Sequence, residues 1–234
     1  GANNTAMGRH ALGANTTGTA NTAVGTNALE INTTGNNNTA IGFKVLDANT
    51  TGLRNTGIGQ SALGKNTTAD DNVAIGTQAL FNNTTGEDNT ALGSFSLTSN
   101  TTAHNNTAVG KSALSANTTA SDNTALGYQA LTANTTGFSN CAFGKDALVS
   151  NTTAPNNTAV GRSALALVTT GEQNTAVGRS AGNVITTGDN NLTLGYNSDP
   201  SSATADNEVT LGDNNIATLR CNVQTISSLS DARD

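Results

Sequence analysis

The chain has 234 residues, of which 35% are hydrophobic, 3% aromatic and 11% charged, with no Trp. So little bulk excludes an ordinary globular core, and a net charge of −6 without a cluster of Lys and Arg excludes a nucleic-acid surface. No apolar run reaches the length of a membrane span, so no membrane insertion is expected.

Low hydrophobicity usually means disorder, because too little surface is buried to offset chain entropy. Strict periodicity argues the other way. Glycine recurs at Gly8, Gly25, Gly42, Gly59, Gly76, Gly93, Gly110, Gly127, Gly144, Gly161, Gly178, Gly195 and Gly212, an unbroken spacing of 17. A fixed period of this size means a solenoid. Gly1 already falls in phase, which suggests that the natural chain begins earlier.

Written from the glycine, the unit reads G-x-x-A-L-x-x-N-T-T-G/A-x-x-N-T-A-V, as in Gly25 through Ile41. It contains no helical stripe of apolar residues. The A-L segment supplies a core column of Leu29, Leu46, Leu63, Leu80, Leu114, Leu131 and Leu148. The N-T-T segment, rich in β-favouring Thr, predicts a short strand. Clusters such as Gly35-Asn36-Asn37 and Gly188-Asp189-Asn190 predict turns.

Asparagine then precedes each Thr-Ala-aliphatic segment. Asn21, Asn38, Asn55, Asn72, Asn89, Asn106, Asn123, Asn140, Asn157 and Asn174 form a column whose members can hydrogen-bond from turn to turn. The segment N-T-A-V-G alternates Thr and Val on one face with Ala and Gly on the other, the period of a strand. The larger side chains predict a second core column of Val24, Ile41, Ile58, Ile75, Leu92, Val109 and Leu126. The Ala-Gly face, as at Ala108 and Gly110, is then smooth enough for another chain to approach. A core so thin for each chain favours an oligomer. The expected fold is an all-β parallel solenoid or β-roll of 17-residue repeats over residues 1–197, assembled as a homotrimer.

The pattern frays toward the C-terminus, and residues 198–234 read as a capping or connecting segment. Leucine gives way to Gly182 and Asp199, and N-T-T to Val168-Thr169-Thr170, Ile185-Thr186-Thr187 and Ser201-Ser202-Ala203.

The N-T-A-V-G-x-x-A-L unit resembles the repeats of YadA-type trimeric autotransporter adhesin heads, which implies a parallel β-roll and a trimer. The tail Ser230-Asp231-Ala232-Arg233 resembles the opening of the intramolecular chaperone domain that ends many phage tail fibres. That resemblance implies self-cleavage at a junction of Leu229, Ser230 and Asp231, before a chaperone domain that would follow. Together the two imply a structural and adhesive fibre, a phage tail fibre shaft or host-recognition segment, on the virion or a cell surface. A host glycan or protein is the implied partner. An autotransporter head is the alternative, and an ice-binding protein a third reading.

Other candidates have blander explanations. The N-T-T segments from Asn15 to Asn151 are glycosylation sequons, yet Asn and Thr laddering accounts for them. Paired threonines such as Thr33-Thr34 suggest an ice-binding array, but adjacent strand residues point to opposite faces. The column after each glycine carries Phe43, Thr77, Lys111, Tyr128, Lys145, Arg162, Arg179 and Tyr196. Its cations either splay into solvent or meet Glu87, Asp88, Asp122, Glu172 and Asp189 across a chain interface. His10 and His104 lack neighbours at metal-ligand spacing, Asp70-Asp71 is at most a weak calcium turn, and Cys141 and Cys221 read as free thiols. No catalytic constellation stands out in the repeats, and neither an enzyme, a metal nor a cofactor is expected.

Overall fold

In the computed structural model, which describes residues 1–218, the chain is a parallel β-solenoid. Each turn contributes one three-residue strand, from β1 (Thr5–Met7) and β2 (Thr22–Val24) through β4 (Thr56–Ile58), β8 (Thr124–Leu126) and β11 (Thr175–Val177) to β12 (Leu192–Leu194) and β13 (Val209–Leu211). All thirteen stack in sequence order in one sheet. Register is exact at one repeat: Thr22 lies beside Thr39, Ala23 beside Ala40 and Val24 beside Ile41. At about 4.8 Å per strand the sheet is about 58 Å long.

The remainder of each turn is bends and tight turns whose hydrogen bonds also run between turns. N-T-T is a bend, not the expected strand. Its first threonine folds back on the next coil, with Thr33 Oγ1 donating to the Thr50 carbonyl at 3.0 Å. The core leucines sit in left-handed backbone, at φ 50° for Leu29 and Leu46, a conformation costing about 1–2 kcal/mol per residue. Inter-turn bonds hold them there, Leu29 N–H donating to the Val45 carbonyl at 3.0 Å. The repeat glycine is needed for two reasons at once. Gly110 has φ 130°, and a Cβ there would fall 2.5 Å from the Gly127 carbonyl oxygen.

The leucine column Leu29, Leu46, Leu63, Leu80, Leu114, Leu131 and Leu148 is fully buried. The strand faces are the reverse of the expectation. Ala23, Ala40, Ala74, Ala91, Ala108 and Ala125 point into the core at 0% exposure. Val24, Ile58, Ile75 and Val109 are only half-buried, and Ile41, Leu92 and Leu126 are 39%, 44% and 41% exposed. The reason is steric: leucines entering from the opposite wall fill the coil, leaving the depth of a methyl group beneath the strand.

One turn shows how tight that fit is. Where Val45 replaces the usual Ala before leucine, the strand residue across from it is Gly57, and a Cβ there would lie 2.5 Å from Val45 Cγ1. We therefore expect Gly57→Ala to cost about 1–3 kcal/mol by overpacking, and Val45→Ala about 1–3 kcal/mol by leaving a void. The double variant restores the Ala/Ala pairing of neighbouring turns, so its melting temperature should exceed that of either single variant. Additive losses would show that the two sites are independent.

The expected boundary at residue 197 is not where the sheet ends, because β13 pairs with β12. The frayed turns repack locally. At Gly182, in the leucine position, a Cβ would lie 2.7 Å from Leu165 Cδ2 and 3.3 Å from Ile185 Cδ1. Buried Ile185, standing where earlier repeats have asparagine, thus occupies space the leucine has vacated.

Candidate functional site

Two asparagine ladders run along the interior. In the first, Asn106 Nδ2 donates to the Ala120 carbonyl at 2.9 Å, and Asn106 Oδ1 accepts the backbone N–H of Asn123 at 3.0 Å. Asn21, Asn38, Asn55, Asn72, Asn89, Asn123, Asn140, Asn157 and Asn174 occupy the same buried column. The second ladder is built by the sequon asparagines. Asn66 Nδ2 donates to Asn49 Oδ1 at 2.9 Å and to the Ala69 carbonyl at 3.1 Å. From Asn32 to Asn151 these side chains are fully buried, so in the folded chain they are structural amides and not accessible glycan acceptors. That ladder ends where asparagine does: Asn151 Oδ1 has no donor, and the next turn presents Val168. The spacing N-x-x-G/A was its signal in the sequence, since the amide reaches the carbonyl three residues on.

A third ladder caps the outer turn. Asn36 Oδ1 accepts the Thr19 N–H, Asp70 Oδ1 that of Leu53 and Asp189 Oδ1 that of Glu172, each at 2.7 Å. Asp70 and Asp71 do not form an open calcium turn, because Arg54 binds both. Its Nε lies 2.6 Å from Asp71 and its Nη2 3.3 Å from Asp70, and the guanidinium holds the Asp71 carboxyl below its ordinary range. His10 faces Glu30 at 3.3 Å, and His104 Nδ1 accepts the Glu87 N–H. Among the described residues no three His, Cys, Asp or Glu side chains group as metal ligands. Cys141 stands half-buried in a strand threonine position, where burial pushes its thiol pKa up. The Leu229, Ser230 and Asp231 junction, and Cys221, lie outside the described residues.

What the fold does present outward is one long face. Most strands put a threonine and an aliphatic residue on it, Val73, Cys141, Leu192 and Val209 standing in the threonine position, and the apolar column continues through Phe143, Val160 and Val177, which are 38%, 39% and 42% exposed. The strand threonines are half-exposed, and no hydrogen bond engages the hydroxyls of Thr22, Thr39 or Thr107 among the described residues.

Charge borders this face. The corner after the strands carries Lys111, Lys145, Arg162 and Arg179, all exposed. Lys145 is 3.5 Å from Asp146 and 5.5 Å from the Tyr128 ring centre, and Arg179 lies 5.4 Å from that of Tyr196. These ring contacts attract the two cations and offset part of the repulsion along the column. No protein-family model matches the chain, and no curated protein matches it significantly.

Proposed function

We propose that the chain is a structural and adhesive fibre segment, a homotrimeric rod of the phage tail fibre kind, displayed on a virion or cell surface and performing no reaction. One observation carries this reading: an uninterrupted apolar stripe along the outward sheet face, with Met7 and Leu211 at its ends exposed by 65% and 48%. A strip about 58 Å long and one apolar side chain wide is on the order of 300 Å², within the size range of the largest, often functional, patch on a protein surface. Three rods meeting on this face would bury a common apolar core that each thin coil lacks. The expected Ala-Gly contact face is replaced by this one, since those alanines are inside the coil.

Light scattering tests the reading, with an expected mass of about three times the 23.4 kDa chain. A parallel sheet with unengaged threonines in register beside the apolar column also fits an ice-binding surface. A particle of chain mass that shows thermal hysteresis would replace the fibre by that second reading.

A further inference from the structure

In the column that follows the repeat glycine, six successive turns carry Lys111, Tyr128, Lys145, Arg162, Arg179 and Tyr196. These are four of the ten Lys and Arg of the chain and both of its tyrosines. Spaced 17 residues apart in the sequence, they are gathered by the coil into one exposed line. The backbone fixes its rungs: the N–H of Asp146 donates to the Tyr128 carbonyl at 3.0 Å, that of Ser163 to Lys145 at 2.9 Å and that of Ser180 to Arg162 at 2.9 Å. The run is bounded, since Thr77 and Ser94 stand before it in the column and Asp213 after it.

Little of this charge is neutralised within the chain. Lys111, Arg162 and Arg179 face no carboxylate within salt-bridge distance among the described residues, and Asp146 reaches Lys145 alone, at 3.5 Å. Holding like charges one strand spacing apart is unfavourable. A chain of net charge −6 that nonetheless lines up four cations away from its own acids is suited to an external anion. Five intervals of about 4.8 Å make the line about 24 Å long. A small anion meets at most two neighbouring rungs, so a ligand that uses them all is a polymer whose charges repeat at the spacing of the turns.

We infer that this column binds a linear acidic polysaccharide laid along the rod, with its carboxylates on the cations and a sugar ring on the open side of each tyrosine, away from Lys145 and from Arg179. The inference rests on the adhesive reading and gives it a ligand class and a site. A pyranose in an extended chain advances by nearly one turn of the coil. An acid on every ring therefore meets Lys145, Arg162 and Arg179 in succession, and an acid on every second ring meets Lys111, Lys145 and Arg179. An extended acidic peptide matches less well, since its side chains return to one face only about every 6.8 Å. Single-stranded nucleic acid calls for aromatic rings under successive bases, and here three cations separate the two tyrosines. Half-buried Ser163 and Ser180 stand beside the cations as hydrogen-bond partners for sugar hydroxyls.

The chain has no Trp, so its tyrosine emission reports on this column alone. Titration of the full chain with hexagalacturonate, which carries a carboxylate on each ring, should change that emission saturably at low salt, and the fully methyl-esterified hexamer should not. Arg162→Glu with Arg179→Glu should weaken binding by about 30-fold or more. Lys44→Glu with Lys65→Glu makes the same change in net charge at exposed positions off the column, and affinity should stay within about twofold. Tyr196→Ala, read by calorimetry, should weaken binding about threefold to tenfold with no change of charge. Absence of binding to the hexamer, or equal weakening by the two charge-reversed pairs, overturns the inference. Tighter binding of hexathymidylate replaces the polysaccharide by single-stranded nucleic acid. Light scattering on the same samples separates this inference from the assembly. A trimer that ignores the hexamer removes the inference and leaves the fibre, whereas a monomer that binds it through Arg162 and Arg179 removes the trimer and leaves the inference. A trimer dissociated by Arg162→Glu with Arg179→Glu assigns the column to the chain interface and overturns the inference.

Discussion

Ala125→Arg is expected to unfold the turns around it, while Leu126→Arg, one residue further on, leaves the coil intact and takes the proposed trimer apart. Ala125 is fully buried beneath the sheet, where the leucine column leaves no room for a long side chain and no carboxylate faces the site. An unpaired buried guanidinium costs about 3–5 kcal/mol, and the steric strain adds to that. In a solenoid the damage propagates, because each turn is held by its two neighbours. Leu126 points outward and is 41% exposed, so arginine there has water to reach, and the effect on the single coil should stay within about 0.5 kcal/mol. Melting followed by circular dichroism, with light scattering on the same samples, separates the two. Equal melting of both variants would mean that the strand faces have been assigned wrongly.

The two faces were legible in the sequence; which of them lies inside was not. Period-2 alternation in Thr-Ala-Val says only that Thr and Val share a side. Choosing the larger residues for the core follows a rule that holds for layers about 10 Å apart, and it fails in a coil closed by 17 residues. The information was present elsewhere, in the pairing of a large leucine with a small alanine through most turns, and most openly at Val45 and Gly57. The glycine spacing, the leucine column and the first asparagine column were direct, because each is one residue type at one phase. The second ladder was concealed by the strand propensity of threonine, which suggested extended backbone where Asn49 and its copies bond three residues ahead and make a bend. Left-handed leucine has no sequence signal at all, since leucine adopts it only where the turns above and below dictate the backbone.

Asn106→Asp should be the most instructive single-atom change, exchanging an amide donor for an oxygen at a fully buried site. In the native ladder Asn106 Nδ2 lies 2.9 Å from the Ala120 carbonyl and 3.2 Å from Asn89 Oδ1, both acceptors, while Oδ1 receives the Asn123 N–H. An ionised aspartate keeps the last bond and turns the first two into repulsions. A protonated one places its O–H toward Ala120 and reproduces most of the wild-type pattern. Burial and facing oxygens both disfavour the charge, so the folded pKa lies above the unfolded value of about 3.9. The folded state then binds more protons than the unfolded one. Relative to wild type, the variant is least impaired below the unfolded pKa and loses stability as pH rises toward the folded pKa. At pH 7 the loss should be about 3 kcal/mol or more, from a buried charge and an unsatisfied carbonyl. Asn106→Ala, which strands the same carbonyl without adding charge, should show a similar penalty with no pH dependence. Melting temperatures of the three proteins between pH 4 and 8, at one chain concentration, decide it: an Asp penalty as flat as that of Ala would mean that water reaches the ladder.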